Sequence, residues 1–147
     1  MTASTVELRP LTKQNWEAAA NLTLADDQRE FIAENVWTIA ETQFFPWVER
    51  RVIVVGDEVV GLAAYGRDHD GGAWWLYRFM VGAAHQRRGY GRAALAALVA
   101  EWRARKVARV TVGFHQRNAV AERLYQTAGF VPGPDAEWGE KTATLTL

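Results

Sequence analysis

Short stretches rich in apolar, β-branched or aromatic residues, which alternate with polar ones in some cases, recur along the chain, and each one predicts a β-strand. They are Val6–Arg9, Val52–Val55, Val59–Tyr65, Trp74–Val81 and the run with Val110, Val112 and Phe114. Gly56-Asp57-Glu58 separates the second stretch from the third and predicts a hairpin turn. One or two further strands are predicted in the tail up to Leu147, and a loop is predicted at His69–Gly72.

Apolar residues spaced three and four positions apart predict helices between these strands. The first helix begins at a cap, Thr12 or Asn15, and reaches about Leu22. The second runs from Asp26 to about Gln43 and ends before Pro46.

Two more helices are predicted in the second half of the chain. The earlier one has a single buried face, made of Leu95, Leu98, Val99 and Trp102. The later one is capped by Asn118 and carries Val120, Ala121 and Leu124. Gly129 ends it, and Phe130 is expected to fold back onto its last turn.

The resulting order is strand, two helices, three strands, helix, strand, helix, strand, which predicts an α/β fold with a mixed sheet. The 147 residues, 49% hydrophobic and 23% charged, suit one globular domain spanning 1–147.

The chain contains no cysteine. Disulfides, thiolate metal sites and a cysteine nucleophile are therefore excluded. Because there is no membrane-length apolar run and no signal-peptide pattern, we expect a cytoplasmic protein with no membrane contact.

The formal net charge of zero conceals an uneven distribution. Residues 1–61 carry ten acidic and five basic side chains, whereas residues 62–147 carry seven and twelve. Without an overall basic excess to neutralise phosphates, the composition argues against nucleic acid as a partner. The asymmetry suits an anionic ligand on one side of the domain and a cationic one on the other.

Glycines and arginines stand together where the third helix is predicted to begin, at Gln86-Arg87-Arg88-Gly89-Tyr90-Gly91-Arg92. Glycine is a poor helix former and cations are unfavourable at the positive end of a helix dipole, so the segment predicts a bound anion. A P-loop is excluded, because no glycine is followed by Lys and Ser or Thr at the required spacing. Gly89, Gly91 and Ala94 satisfy a dinucleotide fingerprint, but no acid lies near Val112–His115 to hold a ribose.

The same segment resembles the Q/R-x-x-G-x-G/A loop of the GNAT superfamily of N-acetyltransferases. Asn118, followed by Leu124-Tyr125 and Gly129-Phe130, resembles the later N…LY…GF segment of that superfamily. The resemblance spans essentially the whole chain. It implies a single domain with a mostly antiparallel sheet, splayed at the cofactor site and flanked by helices.

The resemblance also implies acetyl-CoA as acyl donor, with its pyrophosphate on the loop amides and no metal. The implied cofactor-binding residues are Met80, Val81, Gln86, Arg87, Arg88, Gly89, Tyr90, Gly91, Arg92 and Asn118. Tyr125 matches the tyrosine that many members place near the cofactor sulfur, where a phenol can protonate the leaving thiolate. For Asn118 a helix cap is the alternative role, and for Tyr125 a place in the core.

Many members of that superfamily carry a glutamate on the fourth strand as general base. Here Trp74 to Ala84 holds no acid, and Gly82 stands where an acid commonly follows the strand. His115 is one candidate for the base, and deprotonation through water is another.

An acidic segment near the N-terminus predicts the acceptor. On one continuous helix, Asp27, Glu30, Glu34 and Glu41 would share an arc of about 60°. The opposite side would carry Ile32, Val36, Ile39 and Ala40. Phe31 and Trp37 border this stripe, and the segment resembles the corresponding region of bacterial spermine/spermidine N-acetyltransferases. The expected acceptor is therefore a polyamine or diamine bound by Asp27, Glu30, Glu34, Trp37 and Glu41, with a solvated helix face as the alternative.

Other functions stay open at this point. The acceptor amine could belong to a peptide, a protein or an aminoglycoside. The chain could also be a non-catalytic acyl-CoA sensor or, more remotely, a nicotinamide-binding module. Dimers are common in the superfamily, so a homodimer is a further expectation.

Overall fold

The strands of the computed structural model, which describes residues 5–68 and 72–147, form one sheet. They are β1 (Val6–Pro10), β2 (Val48–Val55), β3 (Glu58–Arg67), β4 (Trp74–Val81), β5 (Arg109–Phe114), β6 (Val131–Pro132) and β7 (Lys141–Thr146). The helices are α1 (Trp16–Ala20), α2 (Asn35–Thr42), α3 (Tyr90–Ala104) and α4 (Ala119–Thr127), with short 3₁₀ turns at Asp26–Gln28 and Ala83–His85.

The spatial order of the sheet is β1-β2-β3-β4-β5-β7-β6. Every neighbouring pair is antiparallel except β4 and β5, which run parallel and are connected through α3. The predicted mixed α/β fold with a mostly antiparallel sheet is therefore confirmed. Within the described ranges, no helix combines the length and the hydrophobicity needed to cross a bilayer.

Helices pack on both faces of the sheet, but the two cores differ in extent. On the α3 and α4 face the buried cluster runs continuously from Ala63 on β3 to Leu145 on β7. On the α1 and α2 face the cluster is confined to the first four strands, with Val52, Leu62 and Met80 among its members. The second half of the sheet is therefore left without a matching core on that face.

β4 and β5 separate part-way along their length. They pair at Trp74, Trp75 and Leu76, opposite Val110, Thr111 and Val112, and not beyond. The register of β4 against β3 shifts between Leu76 and Arg78, so Tyr77 forms a β-bulge where the two parallel strands part. Past this point β4 remains paired with β3, and β5 with β7. A cleft opens between them.

The sequence prediction of one helix from Asp26 to Gln43 is wrong. A 3₁₀ turn at Asp26–Gln28 and an irregular stretch precede α2, and Glu34 has an extended backbone at φ −62° and ψ 148°. Asn35 fixes the start of α2 because its buried amide donates to Ala19 O at 2.9 Å and to Met80 Sδ at 3.2 Å. Such tertiary contacts override local helix propensity.

The break also changes which side chains of this region are buried. The buried positions on α2 are Asn35, Thr38 and Thr42, whereas the predicted apolar residues Val36 and Ala40 are exposed. The acidic residues of the segment consequently do not form one helical stripe.

The first helix is also shorter than predicted, ending at Ala20. Asn15 occupies the N-cap position, but its Oδ1 accepts a hydrogen bond from Thr12 N at 2.7 Å rather than from the helix.

The other elements are confirmed within a few residues. The hairpin turns at Gly56, whose φ of +62° suits glycine. Asn118 caps α4, and Phe130 N donates back to Tyr125 O at 3.0 Å. The tail holds two strands, β6 and β7. The predicted loop at His69–Gly72 lies, except for Gly72, outside the described residues.

Candidate active site

The loop before α3 presents an uncapped helix N-terminus. Arg87 and Gly89 both have left-handed backbones, with φ of 64° and 80°, and Gly89 is the N-cap residue. A glycine has no side chain to cap the helix, so the first-turn N–H groups at Tyr90, Gly91 and Arg92 have no intrahelical acceptor. The loop therefore presents a set of backbone donors at the positive end of a helix dipole, the arrangement that an anion site requires.

Open space lies in front of both glycines of this loop. A Cβ added at Gly89 would meet no heavy atom within 4 Å, and one at Gly91 would meet only Val81 Cγ2 at 3.8 Å and Leu124 Cδ2 at 4.0 Å. Internal packing therefore does not require glycine at Gly91. A ligand that approaches the backbone closely would require it.

Three arginines surround the same helix end. Arg87, Arg88 and Arg92 are exposed, and no ion pair to any of them occurs among the residues that the structure describes. The first turn of α3 contains no acidic residue. Uncommitted cations beside bare N–H groups make this the most favourable surface of the described chain for a phosphorylated ligand.

The far end of β4 supplies a free strand edge next to this loop. The Met80 side chain is 5% exposed and packs away from the edge into the α1 and α2 core. Val81 O accepts a hydrogen bond from Gln86 Nε2 at 2.9 Å, and the same nitrogen donates to Gln28 Oε1 at 2.8 Å. Gln86 thus ties the end of β4 to the 3₁₀ turn at Asp26–Gln28.

Gly61 on β3 lets β4 take this position. A Cβ there would lie 2.4 Å from Met80 O, a backbone atom that cannot rotate aside. Glycine is therefore needed at this point of the sheet.

A cavity of about 260 Å³ lies between β4 and β5 where the two strands separate. Its lining comes from both strands, from residues 31–33, from α4 and from the residue before β7; the polar members are Tyr77, Arg78, Asn118, Tyr125 and Glu140. The cavity and the α3 loop flank the same free edge of β4, so one extended ligand could contact both.

Tyr125 is 5% exposed and stands against Phe114 and Phe130, at ring-centroid distances of 5.7 and 5.5 Å. Burial, together with the negative charge of Glu140, raises the pKa of the Tyr125 phenol above its ordinary value. In the part of the chain that the structure describes, no residue is hydrogen-bonded to its hydroxyl. The phenol therefore keeps its proton at neutral pH and can donate it into the cavity.

An uncapped glycine loop therefore lies beside a splayed pair of parallel strands. Both features fall within a part of the sequence that matches the model of a known protein family. The model of the acetyltransferase (GNAT) family matches residues 8–130. The chain belongs to the GNAT family. It is accordingly an acyl-CoA-dependent N-acetyltransferase.

Solved structures of other GNAT proteins share the fold over nearly the whole chain. The ribosomal-protein-S18-alanine N-acetyltransferase from Escherichia coli is 22% identical, with a TM-score of 0.72 over 97% of this chain and 93% of that one. PaiA N-acetyltransferase from Thermoplasma acidophilum, in complex with coenzyme A, is 13% identical, with a TM-score of 0.71 over 97% and 99%. AAC(6′)-Ib, in complex with paromomycin and acetyl-CoA, is 16% identical, with a TM-score of 0.78 over 97% and 93%. Among curated proteins, none matches the sequence.

Asn118 of this GNAT chain is 8% exposed and lines the cavity. Its Oδ1 accepts the Ala121 N–H at 3.2 Å, which is the helix cap expected from the sequence. The NH₂ end of the same amide remains the part that can donate to a ligand.

Residues 31–33 of the acidic segment line the cavity, whereas none of its predicted acids does so. Two of these acids have basic partners. Glu30 Oε2 is 3.3 Å from Arg117 Nη2, and Glu41 Oε2 is 3.9 Å from Arg78 Nη2. Phe31 stacks on His115 at a centroid distance of 4.7 Å, which joins this segment to the β5–α4 loop. Asp27, Glu34 and Trp37 are exposed.

The sequence alone predicts no role for two polar residues of the cavity, Arg78 and Glu140. Arg78 is half-buried and reaches Tyr77 O at 2.8 Å, while its Nε is buried without a hydrogen-bond partner among the described residues. Glu140 is a carboxylate in the residue just before β7. Glu140 is one of the acids in the tail, where one or two strands are predicted, but its place in the cavity depends on the register of β7 against β5.

Proposed function

We propose that this GNAT enzyme transfers the acetyl group of acetyl-CoA to a small primary amine. The observation that carries the proposal is the cleft between β4 and β5, which joins an anion-binding helix end to a cavity containing a protonated phenol. Acetyl-CoA supplies the thioester, and the chain supplies the surfaces that hold and orient it.

The donor fits the chain at three places. The backbone N–H groups at Gly89, Tyr90 and Gly91, with Arg87, Arg88 and Arg92 around them, hold the pyrophosphate. The main chain of Met80 and Val81 pairs with the amides of the pantetheine arm along the free edge of β4. Gln86 holds the end of β4 in position through its hydrogen bond to Val81 O. The NH₂ group of Asn118, whose oxygen caps α4, donates a hydrogen bond to the cofactor.

In this proposal Tyr125 protonates the departing thiolate. Its raised pKa keeps the phenol protonated before the reaction. Because a raised pKa also makes the phenol a weaker acid than a thiol, the phenolate must regain a proton for the transfer to sulfur to go to completion.

A substitution at Gly91 tests the donor site without harming the helix. Gly91→Asp places a carboxylate in the pyrophosphate position, yet an acid in the first turn is favourable for α3 itself. We expect the Kd for acetyl-CoA to rise about 100-fold or more, because the charge repels phosphate and occupies its space. Gly91→Ala, whose Cβ meets only ordinary contacts, is the matched control and should bind far better than the aspartate. Equal affinity of the aspartate variant and the wild type would place the donor elsewhere.

For the acceptor we propose a polyamine or diamine whose distal ammonium lies at the acidic segment. The support is a set of carboxylates on either side of the cavity-lining residues 31–33, namely Asp27, Glu30, Glu34 and Glu41, with the exposed ring of Trp37. Because Glu30 and Glu41 already face arginines, Asp27 and Glu34 offer the less compensated charge.

Replacing two of these acids by glutamine distinguishes a polyamine acceptor from a simple monoamine acceptor. Glu30→Gln with Glu34→Gln should raise KM for spermidine and leave KM for a monoamine nearly unchanged, since a monoamine has no second charge. Added salt should weaken spermidine binding more in the wild type than in the variant. Identical KM values for every amine would make the segment a solvated surface.

Arg78 favours a second candidate acceptor, an amine that also bears a carboxylate, as in an amino acid or a peptide. Arg78 lines the cavity, and among the described residues its Nε has no hydrogen-bond partner and its guanidinium has one acid nearby, Glu41 at 3.9 Å. A panel of amines in a coenzyme A release assay decides between the two acceptors. Tight acetyl-CoA binding without turnover of any amine would instead indicate an acyl-CoA sensor.

A further inference from the structure

The lining of the 260 Å³ cavity contains one carboxylate, that of Glu140. The other ionisable side chains in the described lining are two phenols, Tyr77 and Tyr125, and the guanidinium of Arg78. An amine is protonated in water and must lose a proton before it can attack a thioester, so a transferase needs an acceptor for that proton. Since β4 holds no acid, a carboxylate that accepts this proton has to come from another element.

The fold holds the Glu140 carboxylate in place from two directions. Trp138 Nε1 donates to Glu140 Oε1 at 2.6 Å, and the Trp138 ring stands against Trp75 of β4 at a centroid distance of 5.9 Å. On the other side Gly113 of β5 makes room, because a Cβ there would lie only 3.1 Å from Oε1.

No cation is committed to this carboxylate among the described residues. The adjacent Lys141 instead pairs with Glu122 at 2.8 Å. Tyr125 lies close enough on α4 for the negative charge of Glu140 to act on its phenol. One wall of the cavity thus places a proton acceptor near the proton donor of the proposed reaction.

We propose that Glu140 accepts the proton of the acceptor amine, an inference that rests on the proposed acetyl transfer. The ammonium gives one proton to Glu140, which passes it to solvent. The nitrogen lone pair then forms the N–C bond with the acetyl carbon, the C–S bond breaks, and the sulfur takes the Tyr125 proton. The nitrogen loses its second proton to Glu140, which returns a proton to the Tyr125 phenolate. One ammonium and one thioester become one amide, one thiol and one released proton.

His115, the candidate base from the sequence, has a different position. Its Nδ1 accepts the Arg117 backbone N–H at 3.1 Å, its ring stacks on Phe31, and it is absent from the cavity lining. The groups that face Glu140 across the cavity are Tyr77 and Arg78 from β4 and Tyr125 from α4; β5 and residues 31–33 contribute uncharged side chains.

Glu140→Gln tests the inference, because the amide keeps an oxygen for Trp138 and removes the proton acceptor. We expect kcat/KM at neutral pH to fall on the order of 100-fold, with the Kd for acetyl-CoA unchanged within about twofold. The acidic limb of the pH profile of kcat/KM should disappear, and raising the pH toward the pKa of the amine should narrow the deficit. Glu137→Gln, an exposed neighbour, and His115→Gln should both retain the acidic limb.

Measurements on the wild type test the proposed acetyl transfer, and measurements on the variants test the role of Glu140. A wild type that binds acetyl-CoA but turns over no amine overturns both the proposed function and this inference. An active wild type with an equally active Glu140→Gln variant, or an acidic limb lost in His115→Gln instead, overturns the inference alone. If Glu140→Gln does not fold, Glu140→Asp should fold with intermediate activity and a retained acidic limb; full activity of Glu140→Asp would contradict a positioned carboxylate.

Discussion

Two buried tyrosines of this protein share a raised pKa and differ in almost everything else. Tyr65, on β3, is fully buried, and its hydroxyl donates to Glu101 and accepts from Arg51 Nη2 at 3.1 Å and Arg105 Nη1 at 2.9 Å. Tyr125, on α4, is equally enclosed by aromatic rings, but its hydroxyl faces a cavity.

The causes of the two raised pKa values show why they have different consequences. For Tyr65, burial is the largest cause, followed by the hydrogen bond to Glu101, and Arg51 acts in the opposite direction. For Tyr125, burial is again the largest cause and the Glu140 charge adds to it. A phenol whose partners are all protein groups stabilises the fold, whereas one that faces an open cavity is available to a substrate.

Removing the hydroxyl of Tyr125 should have the largest effect on activity. We expect Tyr125→Phe to lower kcat on the order of 100-fold while acetyl-CoA binding stays nearly intact, because only the leaving thiolate needs the proton. Steady-state kinetics with the best amine and a separate binding titration measure the two quantities. An unaltered kcat would mean that thiolate protonation does not limit turnover, and the two tyrosines would then be functionally alike.

The same change at Tyr65 should affect stability instead. Tyr65→Phe leaves Glu101 and two arginines without their common partner, so the free energy of unfolding should fall by about 1–3 kcal/mol. Denaturant titration measures this loss, and kcat of the folded fraction should be unchanged. A large loss of kcat at full stability would connect the Tyr65 network to the active site, which its position under the end of α3 does not predict.

Alkaline pH should show what the tyrosines have in common. Both pKa values lie above that of an unfolded tyrosine, about 10, so the folded state retains protons that the unfolded state releases. The stabilisation is complete below about pH 10 and is lost as the pH rises further, with a slope of at most about 1.4 kcal/mol per pH unit for each tyrosine. Each single Phe variant should flatten this dependence. Unchanged slopes in both variants would show that other groups cause the alkaline unfolding.

The regular elements could be predicted because their causes are local. Apolar, β-branched and aromatic content predicts the strands. Asn118, Gly129 and Phe130 mark the ends of α4 by capping chemistry that depends on neighbouring residues. The glycine loop was equally visible, since glycines and arginines at a helix start conflict with helix propensity unless a ligand explains them.

The segment from Asp26 to Gln43 could not be predicted in the same way. Its helix begins where Asn35 reaches Ala19 and Met80, contacts that join residues far apart in the sequence. Glu140 escaped prediction for a related reason, because only the pairing of Lys141 with Phe114 brings it beside β5 and into the cavity. The spacing of residues along the sequence does not reveal how β7 is aligned against β5.

The free edge of β4 has a consequence for solubility. An unpaired strand edge usually offers a template for strands of other molecules and promotes aggregation, so proteins shield the outer edges of their sheets. Here the part of β4 that no longer pairs with β5 lies in the middle of the sheet, beside β5 and behind residues 31–33. A foreign strand would have to displace these neighbours, whereas a slender amide-bearing chain can enter along the cleft. The protein can therefore keep a strand edge open to a small molecule without exposing it to strands of other proteins.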